Sequence, residues 1–140
     1  MNYTELKRNI ADVCENTFSD DMYALFAQQA EQRIYNNVQF PSLRKNVTGS
    51  TSANNKYLGC PNDFLAVYSM AVIDDTGSYE YLLNKDVNFI RQAYPSASDT
   101  GLPRYYGQFD PDTYIIGPTP DDDYQTELHY YYYPISIVKG

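Results

Sequence analysis

The sequence predicts an α+β fold. It has an N-terminal antiparallel helical hairpin, part of a helical bundle, and then a mainly antiparallel β-sheet or sandwich region holding one short helix. Three observations carry this. Up to Asn37, apolar residues recur at helical spacing. From Phe40-Pro41 onward the repeat shortens, and clusters of Gly, Pro, Asn and Asp break the chain often. The segments between those breaks are joined mainly by tight turns, which suits antiparallel pairing rather than βαβ crossovers.

In the first helix, Leu6, Ile10, Val13 and Cys14 form one apolar stripe, and Cys14 is expected to be a small buried hydrophobe. Asn2 caps it, with Glu5 three residues on as the returning partner of a capping box. The second helix starts at Ser19, a good cap, followed by Asp20 and Asp21 at the positive end of the helix dipole. Met22, Leu25, Phe26, Ala30 and Ile34 make its stripe, and Asn36-Asn37 ends it. The short connection at 15–17 suggests a hairpin of the two helices. Residues 1–39 are thus expected to be the bundle part and 40–140 the β-rich region.

Within that region, 44–52 and 55–60 are expected to pair as a hairpin around Ala53-Asn54-Asn55. Residues 65–73 form an apolar run typical of a central strand. Asp74-Asp75-Thr76-Gly77-Ser78 is a turn, and 79–83 is the returning strand. A short helix follows at about 85–94, capped by Asn84 or Asp86, lined by Val87, Ile90 and Ala93 and stopped by Pro95. Residues 103–109 and 113–117 form a second hairpin across Asp110-Pro111-Asp112. The last strand is 124–133, reached through an acidic turn at Asp121-Asp122-Asp123.

That last strand carries the most information. Successive side chains on a strand point to opposite faces, so the run Tyr130, Tyr131, Tyr132 and Tyr133 makes both faces aromatic. The chain has 16 Tyr and no Trp. Tyrosine joins an apolar body to a polar tip and is favoured where an interface is partly wet. These four, with Tyr105, Tyr106 and Arg44, are the candidate subunit or partner contacts. The stripe Leu6, Ile10, Val13, Met22, Leu25, Phe26 and Ile34 is the candidate helix-packing surface. Two helices alone bury little, so those stripes call for a sheet, further helices or a neighbouring subunit.

Other chemistry is sparse. His129 is the only histidine and sits inside the last strand, so no Cys-His or Ser-His-Asp set can be built around it with confidence. No Gly-rich phosphate loop followed by Lys and Ser or Thr is present. Asp121, Asp122 and Asp123 lack the alternating ligand positions of a calcium loop and read as a solvated turn. No catalytic residue, cofactor or metal is therefore assigned. The charge of −8, from 10 basic and 18 acidic residues, argues against tight binding of a nucleic-acid backbone. It suits a surface that DNA passes without sticking. Two cysteines, no signal-peptide pattern and no bilayer-length apolar run suggest a soluble protein made in the cytoplasm.

The order of several segments resembles the head-to-tail adaptor proteins of tailed phages. They are Ala30-Glu31-Gln32-Arg33-Ile34-Tyr35, Pro41-Ser42-Leu43-Arg44-Lys45 and Tyr57-Leu58-Gly59-Cys60-Pro61-Asn62-Asp63-Phe64-Leu65. Further on come the stretch from Leu82 to Arg91, Ile116-Gly117-Pro118-Thr119-Pro120 and the stretch from Glu127 to Pro134. The likeness spans nearly the whole chain and is similar to the tail tubular protein A and head-completion group. It implies a non-enzymatic virion protein, made in the host bacterial cytoplasm and located at the head-tail junction. It also implies a homo-oligomeric, dodecameric ring of about twelve copies under the portal protein, bearing the tail tube or nozzle protein. Viral DNA would pass through without specific binding, and no membrane is involved. Chains of this group return to helix after the Tyr-rich strand, whereas this one stops at Gly140; it is either trimmed there or its bundle is completed by other subunits. The alternatives are another tail or baseplate component, or a carbohydrate-binding β-module whose exposed Tyr stack on sugars.

Overall fold

The computed structural model describes residues 1–139; Gly140 lies outside them. The chain is α+β and divides into two compact units. One comprises Met1–Leu43 with the segment from Tyr133 onward, and the other is Arg44–Tyr132.

The first unit is built on a helix pair. Helix α1 is Tyr3–Cys14 and α2 is Asp20–Asn37. The capping box forms as the sequence requires: Glu5 N–H donates to Asn2 Oδ1 at 2.9 Å, and Asn2 N–H donates to Glu5 Oε2 at 3.0 Å. Ser19 Oγ accepts from Met22 N–H at 3.3 Å and starts α2. Phe18, in the connection, packs edge-on against both Tyr23 and Phe26. A Lys7–Asp20 ion pair at 3.0 Å also links the two helices.

The side of α2 that is buried differs from the stripe expected of it. Tyr23 and Ala27 are buried, whereas Met22, Leu25 and Ile34 stay exposed. Cys14 is exposed rather than buried, because α1 buries no residue at all within this single chain. The segment 133–139 forms no helix. It ends in a turn whose Ile137 N–H donates to Glu31 Oε1 at 2.8 Å, and Tyr133 OH bonds the side chain of Asn36. A single 3-10 turn, Pro41–Leu43, closes the unit before the strands begin.

The second unit contains β1 (Arg44–Ser50), β2 (Tyr57–Gly59), β3 (Phe64–Ile73), β4 (Tyr79–Tyr81), β5 (Leu83–Asn84), α3 (Val87–Ala93), β6 (Thr100–Gly101), β7 (Tyr105–Asp110), β8 (Thr113–Gly117), β9 (Thr119–Pro120) and β10 (Gln125–Tyr132). One sheet runs β1-β10-β3-β4 and is antiparallel throughout. A second runs β2-β8-β7-β5 and is antiparallel except for the β5–β7 pair. Strands β6 and β9 form a short parallel pair.

The inner faces of the two main sheets meet in one core. Met70, Val72 and Leu82 come from the β3–β5 stretch, Tyr106, Tyr114 and Ile116 from β7 and β8, and Leu128 and Tyr130 from β10. Such alternation of inward and outward residues is what a two-sheet sandwich needs. Helix α3 covers the outer face of the second sheet, with Ile90 buried over β7 and β8. Phe89 and Tyr94 flank Tyr105 there.

The hairpin expected of 44–52 and 55–60 does not form. Only the isolated bridge Ser52–Asn55 closes that turn; β1 pairs with β10 in one sheet and β2 with β8 in the other. The acidic turn 121–123 follows β9 on the path by which the chain passes from β8 in the second sheet to β10 in the first. It is fixed by Thr51, which is buried and whose Oγ1 accepts from Tyr124 N–H at 2.8 Å and donates to the Asp122 carbonyl at 3.1 Å.

Candidate assembly surfaces

Strand β10 shows how four consecutive tyrosines divide. Tyr130 and Tyr132 point to the sandwich interior, Tyr131 to the outer face, and Tyr133 leaves the strand for the helical unit. Tyr130 is 4% exposed and packs on Phe64. Its hydroxyl donates to Asp63 Oδ1 at 2.7 Å, while Lys45 Nζ reaches Asp63 Oδ2 at 2.7 Å and lies 4.1 Å from the Tyr132 ring centroid. Partial burial pushes the Asp63 carboxyl up. The hydrogen bonds from Lys45 and Tyr130, with the lysine charge, outweigh this and hold it below the usual carboxylate range. Burial, then the Asp63 contact, pushes the Tyr130 phenol up to about 12. This node ties β1, the start of β3 and β10 together.

The outer face of the first sheet carries two aromatic groups. Arg44 lies 4.4 Å from the Tyr68 ring centroid; Tyr68 stands edge-on to His129 at 5.1 Å and to Tyr131 at 6.1 Å. A guanidinium over a partly exposed ring stabilises by about 0.5–1 kcal/mol. Further across, Tyr79 and Tyr81 stack at 6.1 Å, and Tyr79 lies beside Glu127, whose charge raises its phenol. Tyr68 is 53% exposed and Tyr81 65%. Tyr68 reaches this face because of a bulge: His129 pairs with Ser69 and Tyr130 with Val67, leaving Tyr68 as the extra residue.

Of the residues singled out in the sequence, Tyr131 and Arg44 are brought together on this face. Tyr106 is in the core and Tyr105 lies under α3. Leu6, Ile10 and Phe26 are half-buried, and Val13, at 84% exposure, is open. Tyr68, Tyr79 and Tyr81 were not singled out. The alternation Tyr79-Glu80-Tyr81 was a readable sign of one aromatic face, but the bulge that aims Tyr68 leaves no local mark.

Two acids of the 121–123 turn are tied into the fold. Asp121 accepts from Tyr124 OH at 2.6 Å and Asp123 Oδ1 from Ala53 N–H at 2.8 Å. Among the described residues, no three His, Cys, Asp or Glu side chains converge as a metal site needs. The Cys60 thiol is pushed up to about 11, first by burial and then by Asp112, so it is a poor nucleophile. No described helix is long and apolar enough to cross a membrane.

Exposed apolar and aromatic side chains thus gather on the helix pair and on the outer face of the first sheet. The model of the SU10 adaptor protein family matches residues 1–140. The chain belongs to the SU10 adaptor family. No curated protein matches the sequence. Membership makes this SU10 adaptor a structural protein of a phage, working with portal and tail proteins at the head-tail junction of the virion.

Proposed function

We propose that this SU10 adaptor assembles as a ring of about twelve copies beneath the portal protein, with kinship to the tail tubular protein A group. The ring extends the DNA channel and presents the platform on which the tail tube or nozzle docks. The observation that carries this reading is the full-length family match on a chain with two separate exposed apolar surfaces. One is the α1–α2 stripe with Val13, Met22, Leu25 and Ile34; the other is the phenol-rich outer sheet face. An adaptor needs more than one face, since each copy meets two neighbours, a portal above and a tail below. Exposed apolar surface of this extent marks interaction sites.

The charge supports the same reading. At −8 per chain, a ring of about twelve carries on the order of −100, and acids along its lumen repel the DNA backbone and leave transit unhindered. No turnover is assigned to any residue. The test is assembly of the purified chain with and without the portal, read by sedimentation and negative-stain imaging. A closed ring that caps the portal is expected; a chain that stays monomeric with portal present overturns the reading. The exposed Tyr68, Tyr79 and Tyr81 are the one observation favouring a carbohydrate-binding module, and specific hits on a glycan array would promote it.

A further inference from the structure

The first sheet, β1-β10-β3-β4, is antiparallel at every step, so its two edge strands, β1 and β4, run in opposite directions. A second copy related by rotation about an axis along the strands therefore brings its β1 beside this copy's β4 in antiparallel sense. The ladder then continues from copy to copy. Edge strands are normally blunted by Pro, bulges or outward lysines. Strand β1 has none of these in effect. Its register with β10 is unbroken over all seven residues, and its lysine, Lys45, is folded back onto Asp63 and Tyr132.

The two edges also complement each other chemically. Between β1 and β2 the sandwich is open, and a groove of about 400 Å³ is lined by Val47, Gly49, Leu58, Cys60, Pro61 and Leu128. Val47 pairs with Leu128 and so faces the interior side, yet it stays 39% exposed. At the opposite edge Tyr79, Tyr81 and Leu83 project at alternate positions along β4 and β5, all half exposed or more. Lys45, opposite Tyr130, stands on the interior side of β1, and Glu80, opposite Val72, on the interior side of β4.

We propose that the β4–β5 edge of one copy docks on the β1–β2 edge of a second copy. Strand β4 extends the neighbour's β1 ladder, which puts Glu80 on the same side as the neighbour's Lys45 and Val47 and leaves Tyr79 and Tyr81 on the outer face. The contact joins two different surfaces, so repetition by rotation closes a ring. The proposal rests on the ring reading and names the surfaces that build it.

Cross-linking tests it. In a full-length Cys14→Ala, Cys60→Ala background, Val47→Cys and Glu80→Cys are combined and treated with a short bis-maleimide, alongside each single variant. A ladder of dimers, trimers and higher species is expected from the double variant, and none from either single one. Dimers from Val47→Cys alone indicate two-fold β1–β1 pairing and overturn the proposal. An assembled oligomer without cross-links overturns the edge contact and leaves the ring intact, whereas a monomer under all conditions overturns both. As an independent arm, Tyr81→Lys with Leu83→Lys, on the otherwise native chain, is expected to raise the concentration needed for assembly at least tenfold with an unchanged melting curve. Unchanged assembly overturns the edge contact.

Discussion

At Asp63, one carboxylate holds three strands, and its titration gives the protein an acid limb. Its folded value is depressed, so its contribution is fully present above the unfolded value, about 3.9, and is lost as pH falls through the folded one. Tyr130 has the opposite sign: its phenol is raised to about 12, so its contribution is present below the unfolded value, about 10, and is lost as pH rises through about 12. Unfolding stability is thus expected to be flat through neutral pH and to fall at both ends. Asp63→Asn should remove that residue's share of the acid limb and leave the share of Asp74, which its bonds to Thr76 and Ser78 also hold low, so that its urea midpoint converges with the parent's below about pH 4. Tyr130→Phe deletes the hydroxyl and leaves its ring in the core, and should cost about 1 kcal/mol at neutral pH. An unshifted midpoint for Tyr130→Phe would show that the bond is not formed in solution. None of this was readable locally. Asn62-Asp63-Phe64 looks like an ordinary turn, and Lys45 and Tyr130 reach it only through strand pairing.

The helices show what local sequence does decide at the level of an element. The caps at Asn2, Glu5 and Ser19 formed as their chemistry demands, because capping joins groups three residues apart and needs no distant partner. Helix α3 was readable from Asp86, Val87, Ile90 and Pro95, but its seat was not. It lies close on the second sheet because two glycines leave room. A Cβ on Gly117 would meet Ile90 Cγ2 and Tyr94 Cδ2 at 2.8 Å, and one on Gly107 would meet the Lys85 carbonyl at 2.5 Å. Gly117→Ala is therefore expected to lift α3 and destabilise by about 1–3 kcal/mol. Thermal melting and faster amide exchange across residues 87–93 would record it; unchanged exchange there would mean the helix yields without cost. The 44–60 hairpin failed for a related reason. Asn54-Asn55 does form its turn, but turn chemistry fixes only the bend. The strands then pair with partners distant in sequence, and those lie in separate sheets.

At the scale of the whole molecule, exposure separates folding from assembly. Met22 and Leu25 lie on the apolar stripe of α2 yet are 43% and 50% exposed, while Tyr23 and Ala27 do the packing inside the chain. Met22→Asp with Leu25→Asp is accordingly expected to change stability by no more than about 0.5 kcal/mol per site, and to abolish assembly. Circular dichroism and sedimentation measure the two separately, and loss of folding in this variant would place the stripe in the monomer's own core. The tyrosines sort by the same criterion. Tyr130 and Tyr132 belong to the fold, whereas Tyr131, with Tyr68 and Arg44, belongs to a surface.

The sequence by itself determined most of the helix and strand segments, where the helices begin and where the main turns fall. All of these rest on neighbours within a few residues or on composition. Tertiary structure alone decided which strands share a sheet, which face of α2 is covered, and which tyrosines remain free to meet another molecule. Strand pairing is a choice among partners distant in sequence, and a tyrosine's side of the sheet follows from register and bulges that no local pattern records.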